Sequence, residues 1–185
     1  MEQKIRVSPA FGAMLCFLGW INPKYTCYFM IAIVLHELFH CLVAWMCNVR
    51  IEQICLRVCG AVIQTGQMNY LQEILIAAAG PAASIASGIV FLHNNPVFFS
   101  ISMILAIMNL LPIYPMDGGR ILRAFLLLRI RAAAVSLVMR VSVYIVCSLL
   151  MITACWLTVV CQAGIWPIFA ALVLLIRVGE ASFNT

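Results

Sequence analysis

Between Tyr25 and Cys47 the chain runs through one unbroken apolar stretch whose only charged residue is Glu37. A segment of this length matches the ~30 Å hydrocarbon core of a bilayer when helical. In lipid, only helices and closed barrels satisfy every backbone N–H and C=O. The rest of the chain agrees, being 65% hydrophobic and 9% charged with a mean hydropathy of +1.11. Soluble domains carry about 25% charged residues, so a water-soluble globular fold is excluded.

Six apolar runs read as spans: Val7–Ile21, Tyr25–Cys47, Tyr70–Leu92, Val97–Leu111, Ala132–Cys161 and Ile165–Val178. The first, fourth and sixth are short, and the fifth is long enough to tilt. With the N-terminus inside, Lys4, Arg6, Arg50, Arg57, Arg120, Arg123, Arg129, Arg131, Arg140 and Arg177 fall on or near the cytoplasmic side, and only Lys24 falls outside. Cytoplasmic loops are enriched in Lys and Arg, so both termini are expected in the cytoplasm. The net charge of +5 therefore reports orientation, and no direct nucleic-acid partner is expected. No cleavable signal peptide is recognised, and the first run is kept as a span. Nine cysteines, an odd number scattered mostly through apolar runs, do not suggest a disulfide framework.

Arg50–Gln67 has a different pattern. Ile51, Ile54, Leu56, Val58 and Ala61-Val62-Ile63 are mostly strand formers, interrupted by Gly60. A small membrane-associated β-hairpin is expected here, with an interfacial loop as the alternative.

Inside the second run stands His36-Glu37-Leu38-Phe39-His40, which holds two of the three histidines of the chain. Ionisable groups at bilayer depth are costly and mark function. Histidines at i and i+4 share one helical face and together grip a Zn²⁺, with the intervening Glu beside the metal as general base. His93 lies in a short outer loop with Asn94 and Asn95 and reads as solvated.

A catalytic zinc takes three protein ligands. The fourth run leads into Asn109-Leu110-Leu111-Pro112-Ile113-Tyr114-Pro115-Met116-Asp117-Gly118-Gly119-Arg120. Two prolines three apart stop a regular helix, so the fourth span is expected to break into an irregular segment ending at Asp117. An Asp in that position also suits a helix cap or a pair with Arg120. Glu2, Glu52, Glu73 and Glu180 lie at termini or loop edges, leaving Asp117 as the acidic ligand candidate.

His36-Glu37-x-x-His40 on one span, with Asn109-x-x-Pro112-x-x-x-x-Asp117-Gly118 on a later one, resembles the site-2 protease family of intramembrane zinc metalloproteases. Ala79-Gly80-Pro81 and the Pro-x-x-Pro before Asp117-Gly118-Gly119 resemble most the branch of the stage IV sporulation factor B type. The resemblance implies one polytopic domain over residues 1–185: six transmembrane helices with a small β-hairpin and a Pro-broken fourth span, otherwise all-α. It implies Zn²⁺ held by His36, His40 and Asp117, with Glu37 as catalytic acid/base. Asn109, Pro112 and Gly60 are the expected substrate-binding residues.

The same resemblance implies a membrane-tethered substrate cut near the cytoplasmic face, such as a sporulation pro-sigma factor, in a bacterial cell membrane or the membrane around a forespore. Small inhibitory membrane proteins are expected partners beside the lipid. The sequence departs from the pattern in two ways. Ser84 stands where many members carry Asn, and neither a CBS nor a PDZ domain is expected. The alternatives are a catalytically silent membrane scaffold and a metal-ion transporter. The transporter is disfavoured because the chain shows no repeat and no second histidine cluster.

Overall fold

A computed structural model describes residues 22–57, 60–66 and 68–160, together with 5–7 and isolated positions nearer each end. The chain divides after Asn109 into two compact units.

The first unit contains strand β1 (Ile5–Val7), helix α1 (Pro23–Met46), strands β2 (Ile51–Arg57) and β3 (Gly60–Thr65), and helices α2 (Tyr70–Phe91) and α3 (Pro96–Asn109). The start of α1 is set chemically. Asn22 Oδ1 accepts from the Tyr25 N–H at 3.3 Å, and Pro23 occupies the first turn, where its missing N–H is no loss. At the other end Asn48 adopts a positive φ of 56° and the Val49 N–H returns to the Ala44 carbonyl. This left-handed turn ends the helix.

Helix α1 inverts the arrangement of a soluble helix. Its buried stripe is Ala32, Ile33, His36, His40 and Ala44, while Ile31, Val34, Leu38, Phe39 and Trp45 are exposed. Polar side chains turn inward and large apolar ones outward, as a lipid environment demands. Helix α2 packs against both α1 and α3. It does so through small residues, with Ala77, Gly80, Ala83, Ser84 and Gly88 all buried, which lets backbones approach closely.

The three helices are pinned at both ends. Phe98 makes edge-to-face contacts with Tyr28 and Phe91 at 6.3 and 5.2 Å. At the opposite end Ala44, Val49 and Ile76 form a buried cluster supported by Val43, Cys47 and Met68. There Gln72 donates to the Cys47 carbonyl at 3.1 Å while its Oε1 accepts from the Asn69 N–H at 2.9 Å.

The two strands between α1 and α2 join β1 in a sheet of order β1-β2-β3. Strands β2 and β3 pair antiparallel within the Arg50–Gln67 segment, and β1 joins β2 in parallel. The participation of Ile5–Val7 has no sequence signal, because three residues carry no period that can be read.

The second unit begins with an irregular segment at 110–116, followed by α4 (Asp117–Leu127) and α5 (Ala132–Val159). Ile113 and Val146 are buried together with Leu111, Val143, Cys147 and Leu150 around them, so the segment rests on α5. Ser142 Oγ donates to the Pro112 carbonyl at 2.7 Å. The Met116 N–H returns to the Ile113 carbonyl at 2.9 Å, and the Tyr114–Pro115 peptide is cis.

The six-span expectation needs correction. Among the described residues, three helices are long and apolar enough to cross a membrane: α1, α2 and α5. Helix α3 has 14 residues, or about 21 Å at 1.5 Å per residue, short of a ~30 Å core. It starts at Pro96 and ends at Asn109, before Pro112, so proline bounds both sides. The Val7–Ile21 and Ile165–Val178 runs lie outside the described residues apart from isolated positions.

Candidate metal centre

His36 and His40 sit one helical turn apart on the buried face of α1, each about 3% exposed. Their rings meet edge to face with centroids 4.9 Å apart, and their Nε2 atoms are 3.2 Å apart. Two nitrogens bound at ~2.0–2.1 Å to one tetrahedral zinc would stand about 3.3–3.4 Å apart. The observed spacing fits that geometry closely.

Each Nδ1 is engaged on the side away from this point. His40 Nδ1 is 2.6 Å from the Ile76 carbonyl oxygen. A carbonyl only accepts, so Nδ1 carries the proton and Nε2 keeps its lone pair. His36 Nδ1 is 2.9 Å from Ser84 Oγ, which is itself buried. Metal-binding histidines are commonly oriented this way, through the ring nitrogen that does not bind.

Helix α2 also supplies the space. A Cβ built on Gly80 would overlap His40 Nε2, and His36 Nε2 would be only 2.7 Å away. Glycine at 80 thus keeps the region in front of both nitrogens clear of side chain. Ile76, Gly80 and Ser84 lie at i, i+4 and i+8, on one line of α2. They match His40 and His36 in reverse order along α1.

Asp117 opens α4 and is buried, with Arg120 Nη1 3.6 Å from its Oδ1. Its backbone position depends on two glycines. A Cβ on Gly118 would run into the Leu110 carbonyl and one on Gly119 into the Ile113 carbonyl. The irregular segment therefore lies directly on the first turn of α4. Two imidazoles and a carboxylate are a zinc donor set, and the residues fit the ion that the sequence pattern implies.

Glu37 follows His36 and is half-buried on α1. The expected substrate residues are more dispersed. Asn109 is the last residue of α3, its Nδ2 donating to the Leu105 carbonyl at 3.0 Å. Pro112 lies in the irregular segment, and Gly60 begins β3 opposite Arg57. Sequence reasoning missed the parts played by Gly80 and Ser84. Gly80 was visible only as part of Ala79-Gly80-Pro81, and Ser84 only as a departure from a pattern.

Residues 10–114, more than half of the chain, match the family model described as peptidase M50B-like, and residues 92–153 match peptidase family M50. The chain is 38% identical over 109 residues to a zinc metalloprotease of Methanocaldococcus jannaschii, a match covering 52% of this chain and 32% of that protein. It thus spans about a third of the length of that curated relative. The solved structure of a site-2 protease from Methanocaldococcus jannaschii superposes with a TM-score of 0.70 at 27% identity, covering 96% of this chain and 90% of that one. By its fold and these matches, the chain belongs to the M50B-like peptidases of the site-2 protease family.

Proposed function

We propose that this protein is an intramembrane zinc endopeptidase that cuts a membrane-tethered protein near the cytoplasmic face. The observation that carries this reading is the convergence of two imidazole Nε2 atoms on ground kept open by Gly80. Asp117, His36 and His40 are the metal ligands. Zinc, when bound, polarises the scissile carbonyl and lowers the pKa of a water beside it. Glu37 takes the proton from that water and returns one to the leaving amine. Asn109 and Pro112, at the junction where helix α3 gives way to an irregular segment, hold substrate backbone once it leaves a helix.

A helical substrate hides its amides in its own hydrogen bonds, so it has to be drawn out before it is cut. Strand β3, beginning at Gly60, lies at one side of the three-stranded sheet, and an extended segment adds there by strand pairing. Proline placed at successive β3 positions should slow cleavage; cleavage unchanged at all of them would sink this part. The likeness of motifs to the sporulation branch favours a pro-sigma factor as substrate and small membrane proteins as inhibitors in a bacterial cell, and the Lys and Arg asymmetry of the loops favours both termini in the cytoplasm.

The test is Glu37→Gln, with the protein co-expressed beside a membrane-tethered substrate. Cleavage should fall by ~10²–10⁴-fold, the usual worth of a general acid/base, while zinc stays bound. Wild-type cleavage by Glu37→Gln would refute the assignment and favour a scaffold or transporter.

A further inference from the structure

We propose that Ser84 is a positioning residue for the metal centre, holding His36 so that its Nε2 lone pair faces the zinc. The inference rests on the zinc reading above. It comes from an asymmetry between the two histidines. His40 is oriented by a main-chain carbonyl, that of Ile76, at 2.6 Å. His36 is oriented by a side chain, the Ser84 hydroxyl, at 2.9 Å. The first contact is built into helix α2 whatever residue stands at 76; the second exists only because residue 84 carries a hydroxyl.

Burial makes that hydroxyl matter. Ser84 is 1% exposed and His36 is 3% exposed, so no bulk water replaces the hydroxyl if it is removed. His36 Nδ1 would then lose this partner, and the ring would lose one restraint on its rotation about χ2. A hydroxyl both donates and accepts. It can therefore accept from Nδ1–H when Nε2 binds metal, and donate to Nδ1 when Nε2 instead carries the hydrogen toward His40 Nε2, 3.2 Å away. One serine thus satisfies His36 both with and without the metal. Partners of this kind typically contribute 10–100-fold to metal affinity.

The fold supplies its own control in Ser102. This residue of α3 is also fully buried, and among the described residues its Oγ has no hydrogen-bond partner. The experiment takes the purified full chain in detergent, strips the metal, and titrates zinc back against a chromogenic chelator. Cobalt spectra report the ligand field in parallel. Ser84→Ala should lose 10–100-fold in zinc affinity and change the cobalt bands, with helix content and metal-free melting retained. Ser84→Thr, which keeps the hydroxyl, should recover most of the loss, and Ser102→Ala should bind like wild type. Wild-type zinc affinity and cobalt bands in Ser84→Ala would overturn the proposal. So would an equal loss in Ser102→Ala, or a Ser84→Thr that is folded yet no better than Ser84→Ala. Failure of the wild-type chain itself to bind zinc would overturn the metal reading, and this proposal with it.

Discussion

Gly80→Ala tests the packing around the metal centre most directly, because two effects oppose each other there. Position 80 is inside helix α2, and in a helix interior alanine is favoured over glycine by ~0.8–1.0 kcal/mol. Secondary structure alone thus predicts a modest gain in stability. The tertiary structure predicts the reverse. The new methyl would overlap His40 Nε2 and lie 2.6 Å from His40 Cε1 and 2.7 Å from His36 Nε2, and both rings are fully packed. Overpacking of this kind costs ~1–3 kcal/mol. If the rings rotate away, they give up the contacts to Ile76 O and Ser84 Oγ, at ~0.5–1.5 kcal/mol each. Against the helix gain, the net change runs from about zero to a loss of about 5 kcal/mol, the larger figure where the rings give way.

The functional effect should exceed the effect on stability, since the methyl occupies the space the zinc needs. Zinc content of the purified Gly80→Ala variant should fall close to zero and cleavage should be undetectable. Gly88→Ala is the matched comparison. Its Cβ would meet chiefly the mobile end of Met103, at 2.8 Å, so zinc should be retained and the stability change should stay small. Elemental analysis and thermal unfolding of both variants decide the matter. A Gly80→Ala protein holding one zinc with wild-type affinity would refute the argument that glycine is required to keep this space open.

Two further outcomes follow from the same geometry. Gly118→Ala forces its Cβ against the Leu110 and Leu111 carbonyls, which are backbone and cannot swing aside. The first turn of α4 should shift and carry Asp117 with it, lowering zinc affinity by at least tenfold in the chelator titration; unchanged affinity would show that the segment yields freely. Removing zinc with a chelator should abolish cleavage reversibly and lower the thermal midpoint. At a free zinc concentration 100 times Kd the ion contributes about 2.7 kcal/mol, so identical melting curves with and without saturating zinc would contradict the site.

Much of the chemistry could be read one residue at a time. Two histidines a turn apart and an acid at membrane depth announce a metal site by their cost alone, and the paired prolines announce a break before Asp117. The limits of the helices were less accessible. Apolar composition runs past Asn109, and no hydropathy window separates a helix from an apolar loop. Helix α4 was not anticipated because its 11 residues, with Arg120 and Arg123 among them, look like a polar connector. The strand β1 was too short to show a period.

The sequence by itself determined that the chain belongs in lipid and that His36, Glu37 and His40 share one helical turn, because hydropathy and helical spacing are local properties. It also narrowed the acidic ligand candidates to Asp117 by leaving no other acid well placed. Only the tertiary structure decided how those groups are aimed. That α2 presents the Ile76 carbonyl, the gap at Gly80 and the Ser84 hydroxyl to the two imidazoles is a consequence of packing between residues 36 and 48 positions apart. No local pattern encodes such a match, because it depends on how two helices set their faces against each other.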